Sequence, residues 1–317
     1  MHRVGYNINP QGFSEDTIKS LIENSRATSH LIMMDDGMAQ RMAVAFPDKI
    51  IVSRMNWPDD NSADIDDTVE SWRDLDTPAN LYRYYANESG TEYLDYYCQV
   101  MKTKIPAVLG NFAWANALNI VDVKTGKWDD FIRAASDYTN YGYGFIGGHD
   151  YTTGSLSSGC AGRPPSADDD QVKWADINLG DGSQNWHLFR WVMLAKRAHD
   201  LGVPMFKIIL TECFWDRMPD IEGKPPMQAM DNAAGQKVHG LLQQRAMFND
   251  PLTDVISQLQ WAENTYPDYV KGFHLFTYSK AQDWSAGGYC INEWPEFIAA
   301  AGRNIVEKSK GIYEPVP

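Results

Sequence analysis

The chain has no apolar run approaching the about 20 residues that a membrane-spanning helix needs, because charged and polar residues interrupt every hydrophobic stretch. It also has no basic segment followed by an apolar core ahead of the first strand-like stretch, so we expect no signal peptide. Membrane partners are therefore not expected. The localisation stays open between the cytoplasm, export by a signal-free route and removal of a leader.

Basic residues and cysteine are both scarce. Lys and Arg number 28 against 42 Asp and Glu, and the resulting net charge of -14 argues against nucleic acid as a partner. The four cysteines, Cys98, Cys160, Cys213 and Cys290, match no zinc-binding spacing and are too few for a disulfide scaffold. A bridge between Cys160 and Cys290 stays open, since both fall in predicted loops on one face. We expect no metal and no other cofactor, and the pattern does not indicate an oligomeric state.

Strand-like and helix-like patterns alternate along the chain. Predicted strands cover residues 3–9, 30–35, 49–55, 81–86, 106–109, 144–148, 207–210 and 270–276. Predicted helices cover about residues 14–24, 38–46, 92–101, 128–138, 186–201, 236–248, 252–266 and 294–308. Eight such units predict a single α/β domain, a (β/α)8 TIM barrel, spanning residues 1–317. The alternative is a doubly wound open sheet, which the lack of a Gly-rich phosphate loop after the first strand disfavours.

The longest connections follow strands rather than helices. They cover residues 59–76, 152–183, 215–234 and 279–290, after the third, sixth, seventh and eighth predicted strands. Because barrel enzymes carry their functional loops at the carboxyl ends of the strands, we expect these loops on the catalytic face. The segment 152–183 is too long for a routine connection and is expected to form a lid or a wall of a site.

Two predicted strands end in a glutamate. The apolar run 207–210 stops at Thr211 and Glu212, and the aromatic run 81–86 stops at Asn87 and Glu88. A carboxylate is costly to bury without a partner, so an acid that ends a buried strand is expected at the rim of the sheet. Two glutamates facing each other across a barrel mouth provide the proton donor and the nucleophile or base that cleavage of a glycosidic bond requires.

This pair resembles the retaining glycoside hydrolases of clan A, the 4/7 superfamily of (β/α)8 barrels, which place an Asn-Glu pair after strand four and a second Glu after strand seven. The resemblance implies that Glu88 is the acid/base, that Glu212 is the nucleophile and that Asn87 binds the sugar 2-hydroxyl group. The clan usually has a proline after Asn-Glu, whereas this chain has Ser89. That departure weakens the match in letters and removes no chemical group.

Other strand ends supply candidate substrate-binding residues. Arg54, after strand three, is expected to hold the Glu212 carboxylate in its ionised form, since a nearby guanidinium lowers the pKa of a carboxyl group. Asn111 follows strand five and is expected to contact substrate. His149 and Tyr151 follow strand six and resemble the His and Tyr that the clan often places beside the nucleophile. Trp284, after strand eight, resembles the aromatic platform under a bound sugar.

Each glutamate also has a structural interpretation. Glu88 also suits the first turn of the following helix, where an acidic side chain is favoured. Glu212 has two cationic candidates for a purely structural ion pair, Arg54 and Lys207. The barrel is expected to be catalytically inert only if both structural interpretations hold.

Three functional hypotheses follow. The first is a retaining glycoside hydrolase acting on a polysaccharide or oligosaccharide, whose sugar and linkage the sequence does not specify. The second is a non-catalytic carbohydrate-binding or virion-associated barrel, against which the presence of both glutamates argues. The third is a lyase or isomerase using Asp35, His149 and Lys207, which would be expected to carry a phosphate site at strands seven and eight that the loops there do not resemble.

Overall fold

The computed structural model describes residues 3–25, 27–54, 77–85, 94–110, 120–152, 192–215 and 269–280. Within these ranges eight strands form a closed barrel in sequence order. Every neighbouring pair is parallel, including the pair of first and last strands that closes the barrel. Helices are described in five of the seven connections between consecutive strands, which agrees with the architecture of a TIM barrel, so the predicted fold class is confirmed at this level.

The element boundaries are close to the predicted ones for most of the described chain. The strands are β1 Val4–Ile8, β2 Ser29–Met33, β3 Ile50–Arg54, β4 Leu81–Tyr85, β5 Ala107–Leu109, β6 Phe145–Thr152, β7 Ile208–Trp215 and β8 Val270–Tyr278. The described helices are α1 Glu15–Ser25, α2 Asp36–Ala45, α3 Leu94–Thr103, α4 Ile120–Lys124, α5 Asp129–Asn140 and α6 Val192–Asp200. The short helix α4 was not predicted.

Side-chain caps set the starts of the first two helices. Ser14 accepts a hydrogen bond from the Thr17 N–H at 3.2 Å, so the predicted N-cap of α1 is confirmed. Asp35 accepts from the Met38 N–H at 2.8 Å and caps α2. The predicted start at Met38 is wrong by two residues, because the sequence pattern assigns Asp35 and Asp36 to the end of the preceding strand.

A glycine ends α6, as predicted. Gly202 has a φ of 66°, a left-handed conformation that a side chain disfavours. Its N–H donates to the His199 carbonyl at 2.9 Å, and the Val203 N–H donates to the Ala198 carbonyl at 3.0 Å. This double closure is the Schellman arrangement, which turns the chain from α6 towards β7.

The strands are apolar on both faces because both faces are buried. Residues that pair across neighbouring strands share a face, and the interior face carries Leu31, Val52, Val108 and Ile209. The opposite face packs against the helices with the buried residues Ile8, Ile32, Ile51, Leu81, Leu109 and Ile146. Burying one such side chain contributes about 1.5–3 kcal/mol, so the two layers account for the near-continuous hydrophobic runs of the sequence.

Strands β6 and β7 are longer than predicted. The sequence placed their ends at Gly148 and Leu210, whereas the structure continues them to Thr152 and Trp215. The prediction was wrong because it ended each strand where the apolar run stops. The two polar residues that break these runs, His149 and Glu212, pair with each other across the two strands, so neither one interrupts the sheet.

Several predicted features lie outside the described residues. They are the long connections 59–76, 153–183, 216–234 and 281–290, the predicted helices 236–248, 252–266 and 294–308, and both Cys160 and Cys290. Among the helices that the structure describes, none combines the length and the apolar character needed to cross a membrane.

A buried histidine lies in the barrel interior between β1, β2 and β8. The Nε2 atom of His274 is 2.9 Å from the Ser29 hydroxyl, and its Nδ1 has no hydrogen-bond partner among the described residues. Gly272 has to be a glycine here, because a Cβ atom would lie 2.1 Å from Ser29 Oγ. Burial lowers the pKa of His274 to about 3, so the ring is neutral in the folded protein near neutral pH.

This histidine makes folding stability depend on pH. The unfolded chain binds a proton at His274 below about pH 6.5, whereas the folded protein does not, so its contribution is complete above pH 6.5 and is lost as the pH falls towards 3. We expect His274→Gln to flatten the dependence of the free energy of unfolding on pH by about 1.4 kcal/mol per unit between about pH 6 and about pH 4. Urea unfolding of both proteins measures this slope. Parallel curves would contradict the assignment.

Candidate active site

A buried carboxylate lies in the barrel interior near the carboxyl ends of the strands. Glu212 is on β7, with a side chain that is 8% exposed, and the Nη1 atom of Arg54 lies 2.6 Å from its Oε1. Arg54 is the last residue of β3. Because β3 and β7 are not neighbours in the barrel, the two side chains meet across its interior. An isolated carboxylate would be costly to bury in this position, and Arg54 supplies the opposite charge that Glu212 needs.

His149 contacts the second carboxylate oxygen of Glu212. It is opposite Glu212 in the pairing of β6 with β7, and its Nδ1 lies 3.2 Å from Glu212 Oε2. Burial, and then the positive charge of Arg54, hold the pKa of His149 well below its usual value. The ring is therefore neutral, and because a carboxylate only accepts, the 3.2 Å contact places the ring proton on Nδ1, facing Glu212.

A β-bulge aims Glu212 into the barrel. In the pairing with β6, Gly148 is opposite Leu210 and His149 is opposite Glu212, so Thr211 is an extra residue with no counterpart. In a regular strand, Thr211 and Glu212 would point to opposite faces. The bulge lets both side chains face the interior: Thr211 Oγ1 lies 2.9 Å from the Tyr84 hydroxyl, across the barrel on β4.

Asn7 secures the bulge from the other side. The carbonyl of Thr211, whose residue also lacks a register partner on β8, accepts a hydrogen bond from the Asn7 side-chain amide at 3.1 Å. Asn7 is fully buried on β1, and Thr277 Oγ1 lies 3.1 Å from its carbonyl oxygen and 3.4 Å from its side-chain oxygen. The backbone oxygen that the bulge displaces from regular pairing is thus satisfied by a side chain.

Tyr84 connects the bulge to His149. Its hydroxyl lies 3.2 Å from His149 Nε2, and its ring is 5.8 Å from the Arg54 guanidinium carbon. The pKa of Tyr84 is raised, chiefly by burial, so the side chain stays a neutral phenol. Its hydrogen is available for donation at any pH near neutrality.

A second ion pair lies on the outer side of the same strands. Arg83 Nη2 is 3.1 Å from Asp36 Oδ2, and the Ser53 hydroxyl donates to Asp36 Oδ1 at 2.8 Å. Burial raises the pKa of Asp36, but hydrogen bonds from Ser53 and Gln40 and the charge of Arg83 more than offset this, so the net pKa is lowered. The pair ties the first turn of α2 to β3 and β4, directly beside Arg54.

Three of the predicted site residues therefore meet: Arg54, His149 and Glu212. Of the two cations considered for a structural ion pair, Arg54 is the partner, whereas Lys207 donates to the Thr139 carbonyl at 3.1 Å. Lys207 precedes β7 and lies at the opposite end of the barrel from His149.

The lyase or isomerase hypothesis required Asp35, His149 and Lys207 in one site. Asp35 caps α2, and Lys207 lies at the amino end of β7. The structure does not bring these three residues together into one site, whereas the reaction class itself stays untested.

The other predicted site residues are not placed by the structure. Tyr151 belongs to β6 and is opposite Phe214 on β7, and only its backbone is described. The remaining four lie outside the described residues: Asn87, Glu88, Asn111 and Trp284. Their roles stay predictions.

Three buried polar residues of the site were not predicted: Asn7, Tyr84 and Thr211. A signal for Asn7 exists in the sequence, because a polar side chain inside a buried strand requires a partner. The sequence contains no comparable signal for Thr211, because the direction of its side chain depends on a β-bulge that no local sequence pattern predicts.

The fold and this site define a TIM-type barrel with a buried carboxylate, hydrogen-bonded through both oxygens, near its mouth. Within the described residues no group of three or more His, Cys, Asp or Glu side chains is arranged to hold a metal ion. Compared with protein-family models, curated proteins and solved structures, the chain gives no match. What the site does must therefore be argued from its chemistry.

The dependence of Glu212 on Arg54 is directly measurable. Arg54→Met leaves a buried carboxylate without its cation, and we expect the free energy of unfolding at neutral pH to fall by about 3 kcal/mol, the low end for a buried pair because Arg54 is 25% exposed. In a Glu212→Gln background the same substitution is expected to cost under about 1 kcal/mol. Equal costs in the two backgrounds, measured by denaturant unfolding, would show that the pair is not coupled.

Proposed function

We propose that this protein is a retaining glycoside hydrolase that cleaves a glycosidic bond in a polysaccharide or oligosaccharide. The observation that carries the proposal is the environment of Glu212: a buried carboxylate in the barrel interior that receives a guanidinium N–H on one oxygen and a neutral imidazole N–H on the other. A structural ion pair needs only Arg54. The additional buried histidine, tyrosine and bulge organise the carboxylate itself.

These contacts suit a nucleophile. Two donors favour the ionised form of Glu212 and fix the direction in which its free lone pairs point. The transition state at the sugar resembles an oxocarbenium ion, so a fixed negative charge nearby stabilises it. Because His149 is neutral, it orients the carboxylate without neutralising it.

Glu88 is the proposed acid/base. It follows Tyr85, the last residue of β4, by three residues, so chain length alone keeps its Cα atom within about 11 Å of that strand end. Strand β4 also supplies Tyr84 to the Glu212 network, so β4 and β7 already meet across the interior. Substrate contacts are assigned to Asn87 and to the remaining candidates Arg54, Asn111, His149, Tyr151 and Trp284.

The reaction proceeds in two displacements. In the first, Glu88 donates a proton to the leaving glycosidic oxygen while Glu212 attacks the anomeric carbon and forms a glycosyl ester. In the second, Glu88 takes a proton from water, the water oxygen attacks the same carbon, and the Glu212 carboxylate leaves. Two inversions give net retention, and no cofactor is needed.

Substitution of the two glutamates separates their roles. Glu212→Ala is expected to lower turnover by several orders of magnitude on every substrate, whereas Glu88→Ala is expected to retain the first step on an aryl glycoside whose leaving group needs no proton. Azide needs no base, so it should restore Glu88→Ala with a product of retained configuration and give an inverted product with Glu212→Ala. The exposed Glu23→Ala serves as the control. Exchanged stereochemical outcomes would reverse the assignment, and full activity in either variant would remove that residue from the mechanism.

A crystal structure with a soaked oligosaccharide tests the geometry. We expect the carboxyl groups of Glu88 and Glu212 to lie about 5–5.5 Å apart, the spacing of retaining enzymes, and residues 152–183 to lie on the same face of the barrel. A spacing of about 6.5–9.5 Å would indicate inversion instead. Carboxyl groups on opposite sides of the molecule would end the glycosidase proposal.

A further inference from the structure

A chain of buried polar contacts continues behind Glu212. Beyond His149, it passes from Nε2 to the Tyr84 hydroxyl at 3.2 Å and from there to the Thr211 hydroxyl at 2.9 Å. His149, Tyr84 and Thr211 are all buried. In order, the contacts run from Thr211 on β7 to Tyr84 on β4, then to His149 on β6, and end at Glu212, the residue that follows Thr211.

The direction of these hydrogen bonds follows from the group at the end of the chain. A carboxylate only accepts, so the single ring proton of neutral His149 lies on Nδ1, facing Glu212. The Nε2 atom then carries a lone pair and accepts from the Tyr84 hydroxyl. The Tyr84 oxygen accepts in turn from Thr211, and every group in the chain is satisfied.

The opposite tautomer would break this order. With the proton on Nε2, the Nδ1 lone pair would lie 3.2 Å from Glu212 Oε2, and two acceptors would face each other in a buried site. Glu212 would then have to bind a proton to satisfy the contact, and a protonated carboxyl group is not a nucleophile. The state of the His149 ring and the state of Glu212 are therefore linked.

Thr211 has a second acceptor within reach. Its hydroxyl lies 3.1 Å from the Gly148 carbonyl, and it has one hydrogen to donate. If that hydrogen went to Gly148, the Tyr84 hydroxyl could donate to Thr211 and His149 would lose its donor. Whether Tyr84 donates to His149 therefore depends on whether the Thr211 hydroxyl donates to Tyr84 or to the Gly148 carbonyl.

We propose that Tyr84 is a positioning residue that, supported by Thr211, donates to His149 Nε2 and so keeps the one proton of the neutral ring on Nδ1, directed at Glu212. Among the described residues, the charged and titratable groups in contact with or close to His149 include Arg54 from β3, Tyr84 from β4 and Glu212 from β7. Burial and Arg54 oppose a charged imidazole, Glu212 favours one, and the Tyr84 hydroxyl sets the tautomer of the neutral ring by donating to Nε2. The catalytic consequence rests on the proposed glycosidase function, whereas the state of the ring does not.

The barrel makes room for this tyrosine at one glycine. Gly147 on β6 faces the interior, and a Cβ atom there would lie 2.7 Å from Tyr84 Cε2 and 2.5 Å from the Gly110 carbonyl. Tyr84 also lies on β4 only four residues before Glu88 in the sequence. The ring is therefore held in place by backbone that approaches closely, independently of its hydrogen bonds.

The test compares Tyr84→Phe with wild type in the full chain labelled with ¹⁵N-histidine, using His149→Asn to assign the His149 signals. Tyr82→Phe is the matched control, since Tyr82 is also on β4 but packs edge-on against Phe145. In wild type and in the control we expect His149 to show a protonated Nδ1 and an unprotonated Nε2, without titration between about pH 5 and about pH 8. In Tyr84→Phe the Nε2 atom loses its donor, so we expect the Nε2 signal to shift and the pKa of His149 to rise relative to wild type, because a hydrogen bond that favours the neutral ring is gone.

On a hydrolysed glycoside, Tyr84→Phe is expected to lower kcat about 10-fold to 100-fold with KM little changed, and to shift the acidic limb of the kcat profile. Thr211→Val leaves the Tyr84 hydroxyl no competing acceptor at position 211, so the His149 signals should stay as in wild type. The wild-type ring state needs no variant and keeps the test available if Tyr84→Phe does not fold. A wild-type ring protonated on Nε2, or a Tyr84→Phe protein with unchanged His149 signals and unchanged kcat, would overturn the inference. If wild type cleaves no glycoside while its ring state is as expected, the proposed function fails and the positioning role stands.

Discussion

The single extra residue in β7 is the constraint on which the site depends. Thr211 has no counterpart on β6, and this shift by one residue turns both Thr211 and Glu212 towards the barrel interior. Without it, strand alternation would send one of the two side chains outward, and Glu212 would meet neither Arg54 nor His149. Asn7 and Tyr84 hold the bulge from two other strands, so the irregularity is secured by side chains rather than by the regular ladder.

Charge in this barrel is buried only where it is matched. Glu212 and Arg54 meet inside the mouth, and Asp36 and Arg83 meet one layer further out, between β4 and the start of α2. In both pairs neutral donors complete the contacts of the carboxylate, which is what makes a buried ion pair tolerable. The arrangement draws on β1, β3, β4, β6 and β7, and closure of the barrel fixes the distances between strands that are far apart in the sequence.

Part of this site was predictable from the sequence. Arg54, His149 and Glu212 were identified because a polar residue at the end of a buried strand has few places to go other than the barrel mouth. The assumption that a polar residue ends a buried strand placed the ends of β6 and β7 too early. His149 and Glu212 are opposite each other in the sheet, so each provides the polar contact that the other needs and both strands continue. Tyr84 was not identified, because a tyrosine in an aromatic strand is interpreted as a core residue unless the partner of its hydroxyl is known.

The sequence by itself determined the eight strands and the helix caps at Ser14 and Gly202, because periodicity and capping are local properties that neighbouring residues specify. The tertiary structure alone decided the extra residue at Thr211, the choice of Arg54 over Lys207 as partner of Glu212, and the contact of Tyr84 with His149. These features depend on which strands face each other across the interior. That relation exists only once the barrel is closed, because the residues involved lie far apart along the chain.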